Sequence, residues 1–460
     1  MVTSNDGKGV GVTKVSIIGL GKLGSPMAAC FASKGFTVVG VDLNQAFVDA
    51  VNEGRPPVFE PELAERISAG RENLSATTDA VSAVAATDAT FVIVPTPSDE
   101  DGRFSLRYVI PACEAVGEAL RDKDGYHLVV ITSTVMPGSI DGEIVAALER
   151  SSGKRCGADF GLCYSPEFIA LGSVIRDFLN PDFLLVGESD ERAGDALAQI
   201  YARVCDNDAP IARMNFVNAE LAKISVNTFV TTKIAYANML ARICEQLPGA
   251  DVDVVTDAIG LDTRIGRKYL RGAISYGGPC FPRDTVAFAA LAHSLDAPAF
   301  VAEATDRLNR DGISRLADLA EAQLPEGGVA AVLGLSYKPN TDVVEESPGL
   351  LLAEELAARG IEVFAYDPAA NANASRVLAD SVRLVPTLGE AIEPADVVVL
   401  ATPWHEFAAL DPAVVERTPR RVVIDCWRAL QRDQFEEVAD YIELGKGVVR
   451  ERVSHASRLI

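Results

Sequence analysis

The sequence predicts an α/β protein with two doubly wound, Rossmann-like parallel-sheet domains joined by a long central helix. Three observations support this prediction. Short apolar strands alternate with helical stretches, the same plan occurs twice, and an uninterrupted helical pattern separates the two copies. Alternating strands and helices are typical of parallel sheets covered by helices. The chain has 460 residues, 48% of them hydrophobic, which is enough for two or three domains.

The first copy opens with the apolar strand Val15–Ile18, followed by a glycine-rich turn at 19–24 and a helical stretch that continues to Ser33. The strand that follows ends in Asp42. Later strands of this copy are predicted at 90–94 and 127–132. This order predicts one doubly wound sheet over the first part of the chain.

The second copy repeats these features from residue 329. A strand at 329–334 precedes a helical stretch at 349–359, and the strands at 360–367 and 395–403 mirror those that end in Asp42 and Pro97. The second copy lacks the spacing of the first glycine-rich turn. It is therefore predicted to bind a different ligand.

Between the copies, residues 218–247 show helical periodicity with no internal glycine or proline. A connecting helix of this length is a common dimerisation element, so a homodimer is predicted. The alternative is a helix that packs only on its own chain.

The net charge of −23 argues against nucleic acid and anionic membranes as partners, because both repel an acidic surface. The eight cysteines form no Cys-x-x-Cys pair and only four histidines are present, so no metal site and no disulfide framework are expected. No apolar run is long enough to span a membrane, and Met1 to Val12 lack the apolar stretch of a signal peptide. These features predict a cytoplasmic protein.

The glycine-rich turn has the GxGxxG spacing of a dinucleotide site. Gly19 permits the tight turn, Gly21 lets the backbone approach a pyrophosphate, and Gly24 permits close packing of helix on sheet. The helix that follows would offer its N-terminus to the phosphates. Asp42 follows Gly24 by 18 residues and would bind the ribose hydroxyls, which favours NAD over NADP. The alternative is a glycine turn without a ligand.

Polar side chains at strand ends are further candidates, because ligands of such sheets bind beyond the carboxyl ends of the strands. Thr96 follows one strand, and Thr134 lies in the turn 133–138 after another. Thr134 would hold a water or a cofactor group, although a helix-capping hydroxyl fits equally well. Lys223 and Asn227 are one helical turn apart and would stabilise an oxyanion, with a solvated helix face as the alternative.

Cys280 lies in the segment Tyr276-Gly-Gly-Pro-Cys-Phe-Pro-Arg-Asp284. A thiol beside glycines and four residues before an acid is typical of covalent capture of a carbonyl. Together with a nicotinamide site it predicts oxidation of an alcohol beyond the aldehyde, through a thioester, to a carboxylate. The alternative is a small apolar core residue. Arg264 lies in a basic patch suited to phosphate, and Lys338 follows the first strand of the second copy.

With these residues assembled, the chain resembles the UDP-glucose/GDP-mannose dehydrogenase family over nearly its whole length. Six motifs in the family's order carry the resemblance: 19–24, 133–135, 165–168, 219–223 with Asn227, 277–282 and 336–341. The family oxidises a nucleotide sugar at C6 to the uronate with NAD. The resemblance implies an NAD-binding domain at 1–212, a central helical dimerisation domain with the catalytic cysteine at 213–318, and a nucleotide-sugar (UDP)-binding domain at 319–460.

The resemblance also implies roles for individual residues. Cys280 would be the nucleophile, Lys223 and Asn227 would stabilise the oxyanion, and Glu167, Thr134 and Asp284 would handle water and protons. Arg264 would reach the substrate of the partner subunit. The cofactor residues implied are Gly19, Gly21, Lys22, Leu23, Gly24, Asp42, Thr96 and Thr134. The substrate residues implied are Glu167, Phe168, Ile169, Lys223, Asn227, Arg264, Tyr269, Tyr276, Gly277, Phe281 and Lys338.

The chain departs from the family pattern near the sugar and the cofactor. Arg283 stands where a lysine is usual, and Glu345 stands where an arginine is usual. The other departures are Ala170, Leu171 and Met239, which follows Asn238 where the family often reads Asn-Glu. UDP-glucose oxidation to UDP-glucuronate is the leading hypothesis. UDP-N-acetylhexosamine or GDP-mannose oxidation, a non-catalytic nucleotide-sugar-binding protein, and a two-electron dehydrogenase of the 6-phosphogluconate type are the alternatives.

Overall fold

The structure is a computed structural model that describes residues 12–447. Nearly all of the predicted polar N-terminal segment, 1–11, therefore lies outside the described residues. The described chain divides into two compact units between Val226 and Asn227. Each unit is built on one sheet, and the predicted fold class is confirmed.

The sheet of the first unit has eight strands in the order β3-β2-β1-β4-β5-β6-β7-β8. These strands are β1 (Lys14–Ile18), β2 (Thr37–Val41), β3 (Leu74–Thr77), β4 (Ala89–Val92), β5 (Leu128–Ile131), β6 (Gly161–Tyr164), β7 (Leu184–Glu188) and β8 (Ile211–Met214). The first six are parallel, as predicted. Strand β7 is antiparallel to β6, and β8 is parallel to β7, which the sequence did not predict.

The helices of the first unit are α1 (Gly24–Ser33), α2 (Gln45–Asn52), α3 (Leu63–Ala69), α4 (Ala80–Ala85), α5 (Val109–Arg121), α6 (Val145–Ser152), α7 (Val174–Leu179) and α8 (Glu191–Val204). A 3-10 turn covers Arg71–Asn73 and a π-helical turn, Ile140–Ile144, leads into α6. Ile17 packs into one core and its neighbour Ile18 into another. Successive side chains of a strand point to opposite faces, so both faces of the sheet are covered.

The predicted connecting helix is present as α9 (Phe216–Gln246), which is 31 residues long. Its residues up to Val226 belong to the first unit and those from Asn227 to the second. Helical propensity explains its length, because the segment contains neither glycine nor proline.

The second unit has a six-stranded parallel sheet in the order β11-β10-β9-β12-β13-β14. Its strands are β9 (Val329–Leu333), β10 (Glu362–Tyr366), β11 (Val382–Leu384), β12 (Val397–Leu400), β13 (Val422–Asp425) and β14 (Asp440–Glu443). Its helices after α9 are α10 (Val252–Gly260), α11 (Phe281–Ser294), α12 (Phe300–Glu321), α13 (Pro348–Ala358), α14 (Asn371–Ala374), α15 (Leu388–Ile392), α16 (His405–Ala408) and α17 (Arg432–Val438), with a 3-10 turn at Pro412–Val414.

The two sheets share one local design at their first strands. Gly19 and Gly334 both have a φ near +100°. A Cβ on Gly24 would overlap the Gly19 carbonyl oxygen, and a Cβ on Gly349 would overlap the Gly334 carbonyl oxygen. The two glycines of a pair are five residues apart in the first unit and fifteen apart in the second. The second copy therefore carries a ten-residue longer loop at the position of the dinucleotide turn.

Candidate active site

The glycine-rich turn of the first unit is shaped for a dinucleotide. A Cβ on Gly19 would overlap the Ile93 carbonyl, and one on Gly24 would overlap the Gly19 carbonyl, so both positions need glycine. Gly21 differs, because no atom lies within 4 Å of the place of its missing Cβ. Lys22 and Leu23 are half-buried and lie immediately before α1, with Leu23 at its N-cap. The turn is thus closed on its protein side and open at Gly21, where a pyrophosphate would approach.

Asp42 is tied to this turn. One carboxylate oxygen accepts a hydrogen bond from the backbone N–H of Leu20 at 2.7 Å, and the other accepts from Asn44 N–H at 2.8 Å. Each oxygen has more than one lone pair, so the side chain retains the capacity to accept from ribose hydroxyls. These bonds fix the carboxylate at the end of β2, where a 2′-phosphate would meet a negative charge.

The polar residues beyond β4 and β5 are linked by Ser133. Its hydroxyl accepts from Val94 N–H at 2.9 Å and donates to the Val94 carbonyl at 2.7 Å. Thr96 is buried in the segment after β4, and Thr134 is half-buried next to Ser133. The two predicted threonines therefore lie on segments that are hydrogen-bonded to each other at the carboxyl edge of the sheet.

Glu220 is a residue of this region to which sequence reasoning gave no role. Its carboxylate is completely buried and accepts from the backbone N–H groups of Gly138 at 2.7 Å and Ile140 at 2.8 Å. It therefore joins α9 to the turn that carries Thr134. The only indication in the sequence was that Glu220 lies in the motif 219–223, which also contains Lys223.

Lys223 is also anchored within the first unit. Its Nζ donates to the backbone carbonyl of Glu167 at 2.7 Å and lies 4.5 Å from the centre of the Phe168 ring. Phe168 in turn packs on Phe183, and Ile169 packs against the core. Of the predicted residues, the structure thus brings Glu167, Phe168 and Lys223 together.

The Glu167 carboxyl is in an apolar setting. Burial raises its pKa to about 7, against the opposing effects of the Lys223 charge and the Tyr201 hydroxyl. Its Oε1 is buried without a hydrogen-bond partner among residues 12–447. Tyr201 is a second residue missed from the sequence, and its hydroxyl is hydrogen-bonded to Ser165 at 2.8 Å. A carboxyl that titrates near neutral pH is suited to proton transfer.

In the second unit, Cys280 differs from every other cysteine. It is exposed and occupies the N-cap of α11, where the unpaired N–H groups of a helix stabilise negative charge. Burial raises the pKa of each of the other seven thiols, which makes them poor nucleophiles: Cys30, Cys113, Cys156, Cys163, Cys205, Cys244 and Cys426.

Asp284 lies one helical turn after Cys280 and is almost fully buried. Its Oδ2 accepts from Asn227 Nδ2 at 2.6 Å, and its Oδ1 accepts from the Arg283 guanidinium at 3.2 Å. Its backbone N–H donates to the Cys280 carbonyl at 2.8 Å. The structure therefore brings Cys280, Asp284 and Asn227 together. Arg283, which replaces the usual lysine, binds the buried acid.

The glycines before Cys280 are packed against the long loop that follows β9. A Cβ on Gly277 would overlap the Glu346 carbonyl oxygen, and one on Gly278 would lie 2.6 Å from the Tyr337 ring. Gly278 N–H donates to the Glu345 carbonyl at 3.0 Å. The half-buried Lys338 belongs to the same loop. The predicted nucleotide loop and the cysteine loop are therefore in direct contact.

Aromatic rings flank the start of α11. The Phe281 ring lies 6.0 Å from Tyr269 and 6.4 Å from Tyr276, edge to face in both cases. Tyr269 has a φ of +61°, which is costly for a tyrosine and is typical of functional segments. Arg264 is 86% exposed and is ion-paired with Asp262 at 2.6 Å.

Two segments at or beside the remaining departures are held by hydrogen bonds. Asn238 accepts from Ala273 N–H at 2.8 Å and donates to the Ile274 carbonyl, so it holds the backbone that leads into the cysteine loop. Ala170 and Leu171 lie in a segment that Glu60 holds by accepting from Gly172 and Val174 N–H, each at 2.8 Å. Within residues 12–447, no helix is long and apolar enough to cross a membrane, and no cluster of His, Cys, Asp and Glu could hold a metal ion.

Comparison with known proteins places the chain in one family. Three domains of the UDP-glucose/GDP-mannose dehydrogenase family match in order: the NAD binding domain over residues 13–205, the central domain over 217–311 and the UDP binding domain over 331–432.

Individual relatives agree with this result. The chain is 38% identical to the UDP-glucose 6-dehydrogenase AglM of Haloferax volcanii, over 94% of this chain and all of the relative. It is 35% identical to the GDP-mannose 6-dehydrogenase of Azotobacter vinelandii, over 86% and 94% of the two chains. The solved UDP-glucose dehydrogenase of Pyrobaculum islandicum superimposes with a TM-score of 0.87 at 37% identity, covering 96% and 99%. This chain therefore belongs to the UDP-glucose/GDP-mannose dehydrogenase family and is an NAD-dependent oxidoreductase of nucleotide sugars.

Proposed function

We propose that the protein oxidises UDP-glucose at C6 to UDP-glucuronate in two successive oxidations, through a thiohemiacetal and a thioester on Cys280. The observation that carries this proposal is the position of Cys280. It is the exposed thiol at the start of a helix, while burial raises the pKa of the other seven. An alcohol dehydrogenase that stops at the aldehyde needs no such nucleophile.

The cofactor supplies a hydride acceptor for each oxidation. The open backbone at Gly21 and the fixed carboxylate of Asp42 fit NAD. In the proposal, the chain's own residues bind and orient it. The turn at 19–24 holds the pyrophosphate, Asp42 accepts from the ribose, and Thr96 and Thr134 border the nicotinamide end at the carboxyl edge of the sheet.

The chemistry balances without a metal. Loss of a hydride from C6 and a proton from its hydroxyl gives the aldehyde. The Cys280 thiolate then adds to the aldehyde carbon, and the carbonyl oxygen becomes an oxyanion. Loss of a second hydride from C6 gives the thioester. Water then attacks the acyl carbon, so the C–S bond breaks, the carboxylate forms and the thiol is restored.

Residues of the chain are assigned to these steps as part of the proposal. Lys223 and Asn227 stand one turn apart on α9 and would donate to the oxyanion. Glu167, with its pKa raised to about 7, would take the proton from the attacking water, with Thr134 holding that water. Asp284 would orient the Asn227 amide and assist proton transfer.

The nucleotide is proposed to bind at the long loop after β9. This loop replaces the dinucleotide turn in the second sheet and carries Lys338, whose charge suits a diphosphate. Phe168, Ile169, Tyr269, Tyr276, Gly277 and Phe281 would line the rest of the substrate path. We retain the division into domains at 1–212, 213–318 and 319–460 as a proposal, with the central part carrying the nucleophile.

UDP-glucose is favoured as the sugar because AglM and the Pyrobaculum islandicum enzyme, named for this substrate, are 38% and 37% identical to the chain. GDP-mannose is the second candidate, because the Azotobacter vinelandii enzyme of that name is 35% identical. Ala170, Leu171, Arg283 and Glu345 depart from the family pattern, so an N-acetylhexosamine substrate is also to be tested.

We further propose a homodimer formed through α9. Phe229, Tyr236 and Ile243 recur at seven-residue intervals and are all exposed, with Phe229 at 68%. Such spacing keeps side chains on one face of a helix, and an exposed apolar stripe is typical of an interface. The exposed Arg264 would then leave Asp262 and contact the substrate of the partner subunit.

The nucleophile is tested with purified Cys280→Ser and Cys280→Ala variants. We expect neither variant to sustain turnover. The serine variant should accumulate a sugar ester, because an ester is hydrolysed more slowly than a thioester, and the nucleotide sugar should appear as added mass on the intact protein. Cys244→Ala is the matched control at a buried thiol and should remain active. A Cys280→Ala enzyme that still yields two NADH per sugar at the wild-type rate would refute the covalent mechanism.

The substrate is tested with a panel of UDP-glucose, UDP-N-acetylglucosamine, UDP-N-acetylmannosamine and GDP-mannose. The number of NADH molecules formed per sugar and the mass of the product are measured together. UDP-glucose should give two NADH and the uronate at the highest kcat/KM. A higher kcat/KM with GDP-mannose would transfer the assignment to that substrate, and one NADH per sugar would indicate a simple alcohol dehydrogenase.

A further inference from the structure

The carboxylate of Glu220 occupies a position that commonly binds a ligand anion. The segment from Ile140 to Ser152 is one continuous helical stretch, a π-helical turn followed by α6, and it begins just beyond the carboxyl end of β5. The N-terminus of a helix at that edge carries unpaired N–H groups and the positive end of the helix dipole. Here Gly138 N–H and Ile140 N–H donate to Glu220 Oε2 and Oε1, at 2.7 and 2.8 Å.

The Glu220 side chain is completely buried, and its hydrogen bonds come from the backbone. A buried carboxylate is costly unless its lone pairs are satisfied. The two short N–H bonds offset part of that cost, and burial still raises the pKa of Glu220 to about 7. Both oxygens must accept, so an amide in place of the carboxylate would turn an N–H group towards a backbone N–H.

The segments that Glu220 joins both carry residues of the proposed mechanism. The turn 133–138 holds Thr134, and α9 holds Lys223 three residues after Glu220. The turn has a second tether at Ser133, but that bond runs to the segment after β4 and not to α9. Among the described contacts of this turn, Glu220 therefore supplies the side-chain link between Thr134's turn and the helix that carries Lys223.

The π-helical turn next to this link supports a functional interpretation. A π-helical turn inside a helix is rare and is frequently found at functional sites. Its first residue, Ile140, is one of the two donors to Glu220. The irregular start of the helix thus presents its N–H groups to a protein carboxylate.

We infer that Glu220 is a positioning residue that fixes the distance between Thr134 and Lys223 by clamping the turn 133–138 to α9. This inference rests on the proposed function for the roles of Thr134 and Lys223. The clamp itself rests on the two hydrogen bonds. Catalytic groups that depend on mutual placement lose rate steeply when they shift by about 1 Å.

The test compares Glu220→Gln with Asp190→Ala. Asp190 caps α8 by accepting from Ala193 N–H at 3.1 Å and lies outside the proposed machinery, so its variant controls for loss of a helix cap. We expect Glu220→Gln to lower kcat about tenfold to a hundredfold, with less than a threefold change in KM for the nucleotide sugar. Asp190→Ala should leave kcat unchanged while losing thermal stability, because alanine cannot cap the helix. Equal kcat in both variants would overturn the inference.

Amide hydrogen exchange on the ligand-free protein tests the clamp independently of catalysis. In Glu220→Gln, the amides of Gly138 and Ile140 should exchange at least tenfold faster than in the wild type, while amides of β5 keep their rates. Unchanged exchange would refute the clamp even if the enzyme were slower. If the wild type oxidised no nucleotide sugar, the proposed function would fail, but the hydrogen-exchange measurement would still test the clamp. Glu220→Asp supplies the same readouts should the glutamine variant not fold.

Discussion

Asn227 donates from Nδ2 to Asp284 Oδ2 at 2.6 Å, and this bond determines which way the Asn227 amide faces. A carboxylate can only accept, so the amide nitrogen must be the atom beside Asp284. An amide nitrogen has two N–H groups, and the second can be directed at a developing oxyanion. The buried acid thus sets the orientation of the asparagine, and Arg283 holds the acid in place.

Asp284→Asn tests this relationship. An asparagine at 284 can face Asn227 with either its oxygen or its nitrogen, so the orientation of Asn227 is no longer fixed. We expect kcat to fall by a factor on the order of 100, as for loss of one oxyanion donor. The dissociation constant for NAD, measured by fluorescence quenching, should change less than twofold. A variant with near wild-type kcat would show that the orientation of Asn227 does not matter.

Cofactor choice is predicted to depend on the charge of Asp42. Asp42→Asn keeps an oxygen that can accept from Leu20 N–H, but it removes the negative charge that a 2′-phosphate would meet. We expect the ratio of kcat/KM for NADP to that for NAD to rise at least tenfold. Asp49→Asn, an exposed neighbour on α2, serves as the control and should leave the ratio unchanged. An unchanged ratio in both variants would contradict the assignment.

The pH dependence of hydrolysis is predicted to follow Glu167. Because burial raises its pKa to about 7, the fraction of carboxylate grows as the pH rises through 7. A general base acts as the carboxylate, so the rate should rise over pH 6 to 8. Glu167→Gln should remove this limb. The charges and titratable groups that face this carboxyl are Lys223, Tyr201 and Cys205.

Tyr201→Phe is predicted to shift the pH profile of hydrolysis in a known direction. The Tyr201 hydroxyl lowers the pKa of Glu167, so its removal should shift the limb to higher pH. Tyr126→Phe is the control at another partly buried tyrosine of the first unit and should leave the profile in place. A shift to lower pH in Tyr201→Phe would exclude Glu167 as the group that titrates.

The dimer is predicted to depend on the stripe formed by Phe229, Tyr236 and Ile243. Ile243→Asp places a charge in the proposed interface, where it would have to be desolvated, and should give a monomer in sedimentation velocity at micromolar concentration. Val377→Asp changes an exposed apolar residue of the second sheet's unit and should remain dimeric. A fully active monomeric wild type would refute the interface and leave Arg264 paired with Asp262.

Stability in acid is predicted to fall because of His127. This side chain is buried, donates from Nδ1 to the Thr87 carbonyl at 3.1 Å and accepts from the Thr90 hydroxyl at 2.8 Å. Burial lowers its pKa to about 3. The unfolded chain therefore takes up the proton first, so stability is complete above about pH 6.5 and is lost as the pH falls towards 3.

At pH 5 the loss from this one group amounts to about 2 kcal/mol. Urea unfolding of wild type and His127→Asn at pH 7 and pH 5 would measure it. The difference in unfolding free energy between the two proteins should shrink by this amount at the lower pH. An equal pH dependence in both proteins would mean that His127 is protonated in the folded state.

Local sequence was sufficient for much of the site. The spacing of Gly19 and Gly24 predicted the dinucleotide turn, because the requirement for glycine arises from contacts within one strand-turn-helix unit. The residues alone singled out Cys280 and Asn227, the family resemblance added a role for Asp284, and the structure places the asparagine and the acid in direct contact. The repeat of strands after residue 329 predicted the second sheet through β9, α13, β10 and β12, whereas β11, β13 and β14 were not predicted.

Other features depend on contacts between distant parts of the chain. Glu220 binds the backbone of Gly138, 82 residues earlier, and Glu60 binds that of Gly172, 112 residues later. Neither pairing leaves a periodic pattern, since a backbone N–H donor can belong to any residue type except proline. The reversal at β7 was missed for the same reason, because strand direction is set by which edge the returning chain meets.

The contact between Gly277 and the Glu346 carbonyl limits how this enzyme can evolve. Any side chain at 277 would collide with the backbone of the loop after β9, and the collision cannot be relieved by exchanging a side chain in that loop. If residues 335–346 bind the nucleotide as proposed, a lineage that changes its nucleotide specificity there must preserve the path of the main chain at 346. Substitutions that alter the loop's side chains are open to selection, whereas insertions or deletions near 346 would displace the backbone at Gly277, three residues before the proposed nucleophile.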